Sequence, residues 1–172
     1  MPGIAVRPAH LDGRLLSRRR NSLNERFPEL RDVGKLIRAE AALIDGEIVA
    51  LDENGLPRFD ALRSRRLHCS IVFYAFDLLH LDGYDLTACP LLKRKALLRK
   101  ILPRENTDHI RFTDHIAGEG EALFQKPEAL NLEGMVMNRK DSVYSGLPNR
   151  DWLKVRTASG KVTIQKRIQN WG

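Results

Sequence analysis

A long run of β-forming residues, Ser70 to Leu79, constrains the fold most strongly. The run is rich in β-branched and aromatic residues and stops at the turn signal Asp82-Gly83, so it predicts an interior strand. An earlier segment, Leu43 to Asp52, alternates apolar and polar residues and is followed by Asn54-Gly55. That pattern is typical of a half-buried strand entering a β-hairpin. We therefore expect a β-hairpin that begins with Leu43 to Asp52, and a separate interior strand from Ser70 to Leu79.

Helical patterns lie on either side of these strands. Pro28, in the segment Phe27-Pro28-Glu29-Leu30, suits the first turn of a helix that runs towards Arg38. A second helix is predicted from Pro90 onward, because Leu91, Leu98 and Leu102 fall on one helical face. The other face is predicted to be exposed and basic; its residues are Lys93, Arg94, Lys95, Arg99 and Lys100.

The C-terminal third predicts one more helix and two short strands. The helix covers Gly118 to Leu130, and the strands pass through Met135 to Met137 and Trp152 to Arg156. Mixed strands, hairpins and helices favour an α+β fold. A chain of 172 residues suits one domain better than two.

Composition narrows the class of protein. With 29 Lys and Arg against 22 Asp and Glu, the net charge is +7, so an anionic partner such as nucleic acid is plausible. The Arg-rich run from Arg14 to Arg20 fits such a partner or an ordinary solvated face. The first ten residues lack a signal-peptide pattern and no apolar run could span a bilayer, which predicts a cytoplasmic protein. Cys69 and Cys89 are too few for a disulfide scaffold or a zinc site.

Three carboxylates interrupt or adjoin apolar strands: Glu47 in Asp45-Gly46-Glu47, Asp77 in the long strand, and Glu133 before Gly134. Buried carboxylates cost free energy unless they are paired, hydrogen-bonded or bound to a cation. One interpretation is a Mg²⁺ site, since Mg²⁺ prefers oxygen ligands and bridges carboxylates to phosphates. The alternative is that each carboxylate pairs with one of the many arginines.

Two cations and an aromatic ring suggest phosphate and base binding. Lys154 and Arg156 alternate with Leu153 and Val155, so both cations project from one face of a strand and could hold a phosphate. A solvated strand face is the alternative. Phe76 precedes Asp77 and could stack on a nucleobase, although a core phenylalanine is the commoner case.

Taken in order, these segments resemble the adenylation domain of ATP-dependent DNA ligases, especially the bacterial type of end-joining repair systems. The resemblance runs from about Arg14 to Arg156. Its motifs, in chain order, are Leu15-Leu16-Ser17-Arg18, Phe27-Pro28-Glu29-Leu30, Leu43 to Asp52, Gly55 to Phe59, Phe73 to Leu79, Pro90 to Lys95, Glu133-Gly134-Met135-Val136, Asp141 to Tyr144 and Trp152 to Arg156. The resemblance rests on the order and spacing of these motifs, which are those of the family.

The resemblance implies a nucleotidyltransferase (ATP-grasp-like) fold of two antiparallel sheets with flanking helices, which holds ATP and Mg²⁺. By position, Glu47 would contact the ribose or a metal, Phe76 would stack on adenine, and Glu133 would help to bind Mg²⁺. Lys154 would contact the α-phosphate, with Arg156 as its catalytic neighbour. Arg18 and Val136 complete the implied nucleotide-binding set.

The chain departs from the family pattern at one decisive point. Family members carry a lysine two residues before Asp-Gly, whose amine attacks the ATP α-phosphate; no Lys-x-Asp-Gly occurs in this sequence. His10-Leu11-Asp12-Gly13 imitates it only superficially, and we expect the chain to begin inside or just after that motif, with Gly3 as its remnant. Asn138 and Arg156 also stand where the family has lysines, and arginine keeps the charge but not the geometry.

Three hypotheses follow. In the first, residues 1–172 form a partial ligase adenylation domain without the OB-fold domain, ancestrally joining nicked or broken DNA in repair and recombination, and impaired in the first step. In the second, the chain is a non-catalytic basic module that binds DNA ends or other end-joining repair proteins through Arg14 to Arg20 and the Lys93 to Lys100 helix. In the third, the sequence is a truncated reading of an ordinary ligase.

Overall fold

A computed structural model describes residues 3–6, 13–17, 19–58, 61–64, 69–115, 134–145 and 152–156. The chain divides into two compact units, Met1–Asp114 and His115–Gly172.

The first unit is built on a six-stranded sheet. Its strands are β1 (Gly3–Val6), β2 (Arg14–Leu16), β3 (Ala42–Leu51), β4 (Ser70–Leu81), β5 (Tyr84–Asp85) and β6 (Ile110–Phe112). The order across the sheet is β2-β1-β3-β4-β5, and β6 also pairs with β4. All the pairings are antiparallel except β4 with β6, which is parallel.

Strands β3 and β4 form the centre of this sheet and confirm the two predicted strands. They pair antiparallel over their whole lengths, with register shifts between Leu43 and Ile44 and between Asp45 and Gly46. Since β3 occupies one edge of β4 throughout, β5 and β6 share the other edge, at opposite ends. Strand β4 is therefore interior, as predicted from its apolar composition.

The two predicted turns differ in what they connect. Asp82 and Gly83 both have positive φ, at 46° and 93°, and join β4 to β5 as a tight hairpin. Gly55 has a φ of 74°, so the Asn54-Gly55 turn also forms. There the chain returns only through a single bridge from Leu51 to Pro57, and the long antiparallel partner of β3 is β4.

Three helices accompany the sheet in the described part of the first unit. They are a 3₁₀ helix (Pro28–Leu36), α1 (Ala61–Ser64) and α2 (Leu91–Ile101). Pro28 opens the first of these, as expected, but the segment is 3₁₀ rather than α-helical. Side chains from the 3₁₀ helix, α2, β3 and β4 form one core, whose fully buried members include Leu30, Ile44, Phe73, Leu78 and Leu98.

The predicted basic face of α2 is partly wrong. Lys93, Arg99 and Lys100 are exposed, whereas Arg94 is fully buried and Lys95 is 7% exposed. The reason is helical geometry: positions 94 and 95 lie one turn from Leu91 and one turn from Leu98, on the face that packs into the core. Their charge therefore had to be compensated inside the protein.

The outer edge of β2 is covered by the segment that follows it. Asn24 uses its side-chain amide as a strand would use its backbone: Nδ2 donates to the carbonyl oxygen of Gly13, and Oδ1 accepts from the N–H of Leu15, both at 2.9 Å. The N–H of Leu23 donates to the carbonyl oxygen of Leu15 at 2.9 Å. The Arg-rich segment thus contains a compact return turn.

The second unit contains a two-stranded antiparallel sheet in its described part. Strands β7 (Gly134–Asn138) and β8 (Trp152–Arg156) pair in register from Gly134 opposite Arg156 to Asn138 opposite Trp152. Both strands were predicted and are confirmed. The predicted helix over Gly118 to Leu130 lies outside the described residues. None of the helices that the structure describes is both long and apolar enough to cross a membrane.

Candidate nucleotide site

Glu47 is presented to solvent by an otherwise buried strand. It is exposed, while its neighbours Gly46 and Ile48 are buried, because successive side chains of a strand point to opposite faces. The backbone of Glu47 is held in place by a central strand of the sheet. Because its carboxylate is exposed, the charge remains hydrated and pays little desolvation free energy. Glu47 can therefore accept hydrogen bonds from a ligand or coordinate a cation from the solvent side.

Gly46 explains why β3 and β4 can pack so closely beside Glu47. A Cβ atom added at Gly46 would lie 2.3 Å from Cζ of Phe73 and 2.5 Å from the carbonyl oxygen of Tyr74. The ring of Phe73, fully buried, occupies the space that a side chain would need. The glycine of Asp45-Gly46-Glu47 is therefore required by this close approach.

Glu47 belongs to a row of polar side chains that crosses the sheet. Glu47 lies opposite Tyr74 on β4, and Tyr74 lies opposite Arg111 on β6, so the three share one face of the sheet. Nη1 of Arg111 donates to the Tyr74 hydroxyl at 3.3 Å, and its guanidinium carbon lies 5.9 Å from the centre of the Tyr74 ring. The row places an anion, an aromatic hydroxyl and a cation side by side.

Phe76 lies at an irregularity of β4. Gly46 pairs with Ala75 and Asp45 pairs with Asp77, so the register with β3 passes over Phe76. Its ring is half-buried, between two fully buried neighbours. A bulge of this kind redirects a side chain and is common beside binding sites. The half-buried ring is compatible with the predicted stacking role and is not a fully enclosed core residue.

Asp77 forms an ion pair with Arg94 and is not available to a metal ion. Arg94 Nε lies 2.8 Å from Oδ1 of Asp77, and Nη2 lies 2.8 Å from Oδ2, with both side chains fully buried. Oδ1 also accepts from the N–H of Leu78, and Nη1 of Arg94 donates to the carbonyl oxygen of Cys89. The arginine-pairing alternative is thus confirmed for Asp77.

Lys95 is the neighbouring buried cation. Its Nζ donates to the carbonyl oxygen of Thr113 at 2.7 Å and to that of Phe76 at 3.3 Å, and lies 5.1 Å from the centre of the Phe112 ring. Burial lowers the pKa of the Lys95 ammonium below its usual value, and the carboxylates of Asp77 and Asp114 oppose that shift. The ammonium is held by carbonyl dipoles and an aromatic face.

The other predicted site residues belong to less fully described parts of the chain. In the second unit, Val136 pairs with Lys154 and Gly134 pairs with Arg156 along β7 and β8. Arg18 and Glu133 lie outside the described residues. Within the described ranges, no group of three or more His, Cys, Asp or Glu side chains is gathered as metal ligands. The metal-binding roles of Glu47 and Glu133 therefore stay predictions.

Sequence similarity identifies the family. Residues 7–156 match the family model described as ATP dependent DNA ligase domain. The chain belongs to this ATP-dependent DNA ligase domain family.

Curated relatives of this ligase-family chain are longer. The multifunctional non-homologous end joining protein LigD of Pseudomonas aeruginosa is 32% identical over 146 residues, which are 83% of this chain and 17% of the relative. The SPbeta prophage-derived DNA ligase-like protein LigB of Bacillus subtilis is 32% identical over 148 residues, 83% of this chain and 53% of the relative. The chain thus spans about half of LigB and much less of LigD.

Solved structures confirm the predicted α+β nucleotidyltransferase fold. The ligase domain from M. tuberculosis LigD matches with a TM-score of 0.74 and 28% identity, over 90% of this chain and 50% of that domain. A mycobacterial DNA ligase D complexed with ATP and MES matches with a TM-score of 0.75 and 28% identity, over 90% and 51% of the two chains.

Sequence reasoning missed the side chains that bind the Phe76 carbonyl and the neighbouring Asp77 carboxylate. It treated Arg94 and Lys95 as surface cations, although both lie in phase with Leu91 and Leu98. It also gave no role to Tyr74 or Arg111. For Arg94 the available signal was the acid Asp77 within an apolar strand, which required a buried partner from elsewhere in the chain.

Proposed function

We propose that this chain is the nucleotide-binding, adenylyl-transfer part of an ATP-dependent DNA ligase that acts in DNA repair. The observation that carries the proposal is the family match over residues 7–156, together with an exposed Glu47 on a rigid, closely packed strand. ATP is the proposed ligand and DNA with nicked or broken ends the proposed polynucleotide substrate.

Each proposed role follows from the chemistry of one side chain. Glu47 accepts hydrogen bonds from the ribose or holds Mg²⁺, and the half-buried ring of Phe76 stacks on adenine, a contact of about 1–3 kcal/mol by analogy with base stacking elsewhere. Lys154 contacts the α-phosphate, where a cation stabilises developing negative charge. The set is completed by Arg18, Val136 and Arg156.

A magnesium ion bound with the nucleotide would neutralise phosphate charge. Mg²⁺ in such sites uses one or two protein carboxylates and fills its remaining positions with waters and substrate phosphates. The exposed carboxylate of Glu47 suits that mode, and Glu133 is the proposed second ligand.

The covalent step of this family needs a lysine that the sequence lacks. In that step, a lysine amine attacks the α-phosphorus of ATP and loses one proton, an N–P (phosphoramidate) bond forms, and pyrophosphate leaves with the electrons of the broken P–O bond. Because no Lys-x-Asp-Gly occurs in the 172 residues, we propose that this chain binds ATP without forming the lysyl-AMP adduct by itself.

Two measurements on the purified chain test these proposals. Titration with ATP and Mg²⁺ should show binding, and Glu47→Gln should weaken it about tenfold or more, as expected for a lost hydrogen bond or metal contact to a charged group. Glu53→Gln is the matched control, because Glu53 is an exposed acid in the turn after β3. Absence of ATP binding by folded protein, or equal loss in both variants, would disprove the nucleotide site.

Incubation with α-labelled ATP and Mg²⁺, followed by a denaturing gel, tests the covalent step. The expected result is no labelled, acid-labile adduct. A labelled band would show that another side chain acts as the nucleophile and would overturn this part of the proposal.

Exposed cations favour DNA binding as a second candidate function. Arg14, Arg19 and Arg20 are exposed near β2, and Lys93 and Lys100 are exposed on α2. Binding through such cations releases counterions, so the logarithm of the association constant should fall linearly with the logarithm of salt concentration. DNA binding with that salt dependence, in protein that binds no ATP, would favour this function over the first.

A further inference from the structure

The outer edge of β4 has an interval between its two partner strands, and Phe76 lies in it. Strand β6 pairs with Phe73 to Ala75, and β5 pairs with His80 and Leu81. The backbone carbonyl of Phe76 accepts a hydrogen bond from the ammonium of Lys95, at 3.3 Å. A helix side chain thus does here what a strand N–H does elsewhere along the edge.

The same ammonium connects this interval to the end of β6. Lys95 Nζ also donates to the carbonyl oxygen of Thr113 at 2.7 Å, and the N–H of Thr113 donates to the carbonyl oxygen of Ala75 at 2.8 Å. Lys95, Thr113 and the backbone of Ala75 and Phe76 therefore form one short hydrogen-bonded circuit. The carbonyl of Phe76 is fixed relative to β6 as well as to α2.

A residue adjacent to Lys95 on α2 and one adjacent to Phe76 on β4 are also joined. Arg94 precedes Lys95 on α2 and holds the carboxylate of Asp77, which follows Phe76 on β4, through two hydrogen bonds of 2.8 Å. Two consecutive cations thus hold two consecutive strand residues. Because the rotamers open to a side chain depend on its backbone angles, fixing this backbone restricts the orientation of the Phe76 ring.

If position 95 only had to fill space in the core, a charged ammonium would be an unfavourable side chain there. Transfer of a charged group into an apolar interior costs free energy, and burial lowers the pKa of Lys95 accordingly. A methionine would fill a similar volume without that cost. What methionine lacks is the ability to donate hydrogen bonds to two carbonyl oxygens at once.

We infer that Lys95 is a positioning residue for nucleotide binding, which holds the Phe76 bulge so that the ring presents its face to the adenine base. This inference rests on the proposed function. It assigns to Lys95 a role in recognition of the base and none in contact with the phosphates.

The test compares ATP with inorganic tripolyphosphate, which lacks a base, as ligands of the full chain in the presence of Mg²⁺. Lys95→Met should weaken ATP binding about fivefold or more, as expected from partial loss of a base-stacking contact, and should leave tripolyphosphate binding within about twofold. Lys35→Met, at an exposed lysine of the 3₁₀ helix, is the control and should change neither.

A double variant separates positioning from general stability. Phe76→Leu should weaken ATP binding, and Lys95→Met added to Phe76→Leu should weaken it no further, because the ring that Lys95 orients is already absent. Circular dichroism must first show native folding. Should Lys95→Met not fold, Lys95→Gln, which keeps a shorter donor, takes its place; failure of both to fold would overturn the inference in favour of a folding role.

The possible results distinguish the inference from the proposed function. If the folded wild-type chain binds no ATP, the proposed function and the inference fall together. If it binds ATP and Phe76→Leu weakens binding while Lys95→Met does not, the inference alone falls. Equal losses for ATP and tripolyphosphate in Lys95→Met, or additive losses in the double variant, would also overturn it.

Discussion

Replacement of Gly46 by alanine tests whether the sheet beside Glu47 is as closely packed as described. The added methyl would meet three atoms at 2.3, 2.5 and 2.6 Å: Cζ of Phe73, the carbonyl oxygen of Tyr74 and Cε1 of Phe73. Favourable contacts of carbon atoms lie at about 3.5–4.0 Å. Each contact is therefore about 1 Å too short, and one of them is with backbone that cannot rotate away.

The size of the effect follows from what can move. The Phe73 ring is fully buried in the core, so it must push its own neighbours or force the central strands apart. Overpacking of this kind costs about 1–3 kcal/mol, and the collision with the Tyr74 carbonyl places Gly46→Ala near the upper end. With a total stability of about 5–15 kcal/mol for a domain, a loss of about 3 kcal/mol would be a large fraction of the whole.

Urea unfolding followed by circular dichroism measures this loss. For a slope of about 1–3 kcal/mol/M, the midpoint of Gly46→Ala should fall by about 1–3 M. Gly55→Ala provides a contrast, because its methyl would meet open space and only the positive φ of 74° opposes it, at a cost of about 1–2 kcal/mol. Phe73→Leu introduced with Gly46→Ala should recover part of the loss by removing the ring.

A stability for Gly46→Ala equal to wild type, or higher, would refute the argument from close packing. The variant also bears on the site, because strands pushed apart at Gly46 displace Glu47. ATP binding by folded Gly46→Ala should therefore be weaker than that of the wild type.

Three further predictions concern charged side chains. Asp77→Leu should lower the free energy of unfolding by about 3–5 kcal/mol because it leaves Arg94 buried without its carboxylate, whereas Asp77→Leu with Arg94→Met should cost much less than the sum of the two single changes; additive urea data would contradict this. Since burial lowers the pKa of Lys95 from its ordinary 10.5, the unfolded chain binds more protons between the two pKa values, and wild-type stability relative to Lys95→Met should rise with pH across that window. If the urea midpoints of the wild type and Lys95→Met change with pH in parallel, this prediction is wrong. Asp32→Asn should leave the midpoint unchanged, because Asp32 and its partner Lys35 are both exposed; a clear shift would show an unrecognised role.

The two long strands of the sheet could be predicted from the sequence, and the short strands β1 and β6 could not. Strands β3 and β4 are ten and twelve residues long, so their alternation and β-forming composition are evident over many positions. Strands β1 and β6 have four and three residues, too few for a period of two to be recognised. Their place in the sheet depends on contacts with distant segments.

The candidate site shows the same division between local and distant information. The exposure of Glu47 follows from the alternation of its own strand. The burial of Arg94 depends on Asp77, 17 residues earlier. A prediction that every charged residue of the helix is exposed therefore places Arg94 wrongly at the surface. The phase of the helix, with Leu91 and Leu98 on the buried side, was the better guide.

The cover on β2 also affects how this protein meets other copies of itself. An open strand edge presents unpaired N–H and C=O groups on which another chain can build a cross-molecular sheet. Here Asn24 and Leu23 occupy the carbonyl oxygen of Gly13 and both the N–H and the carbonyl oxygen of Leu15. An incoming strand would have to displace them first, so this turn protects a basic, sheet-rich protein against aggregation from that edge.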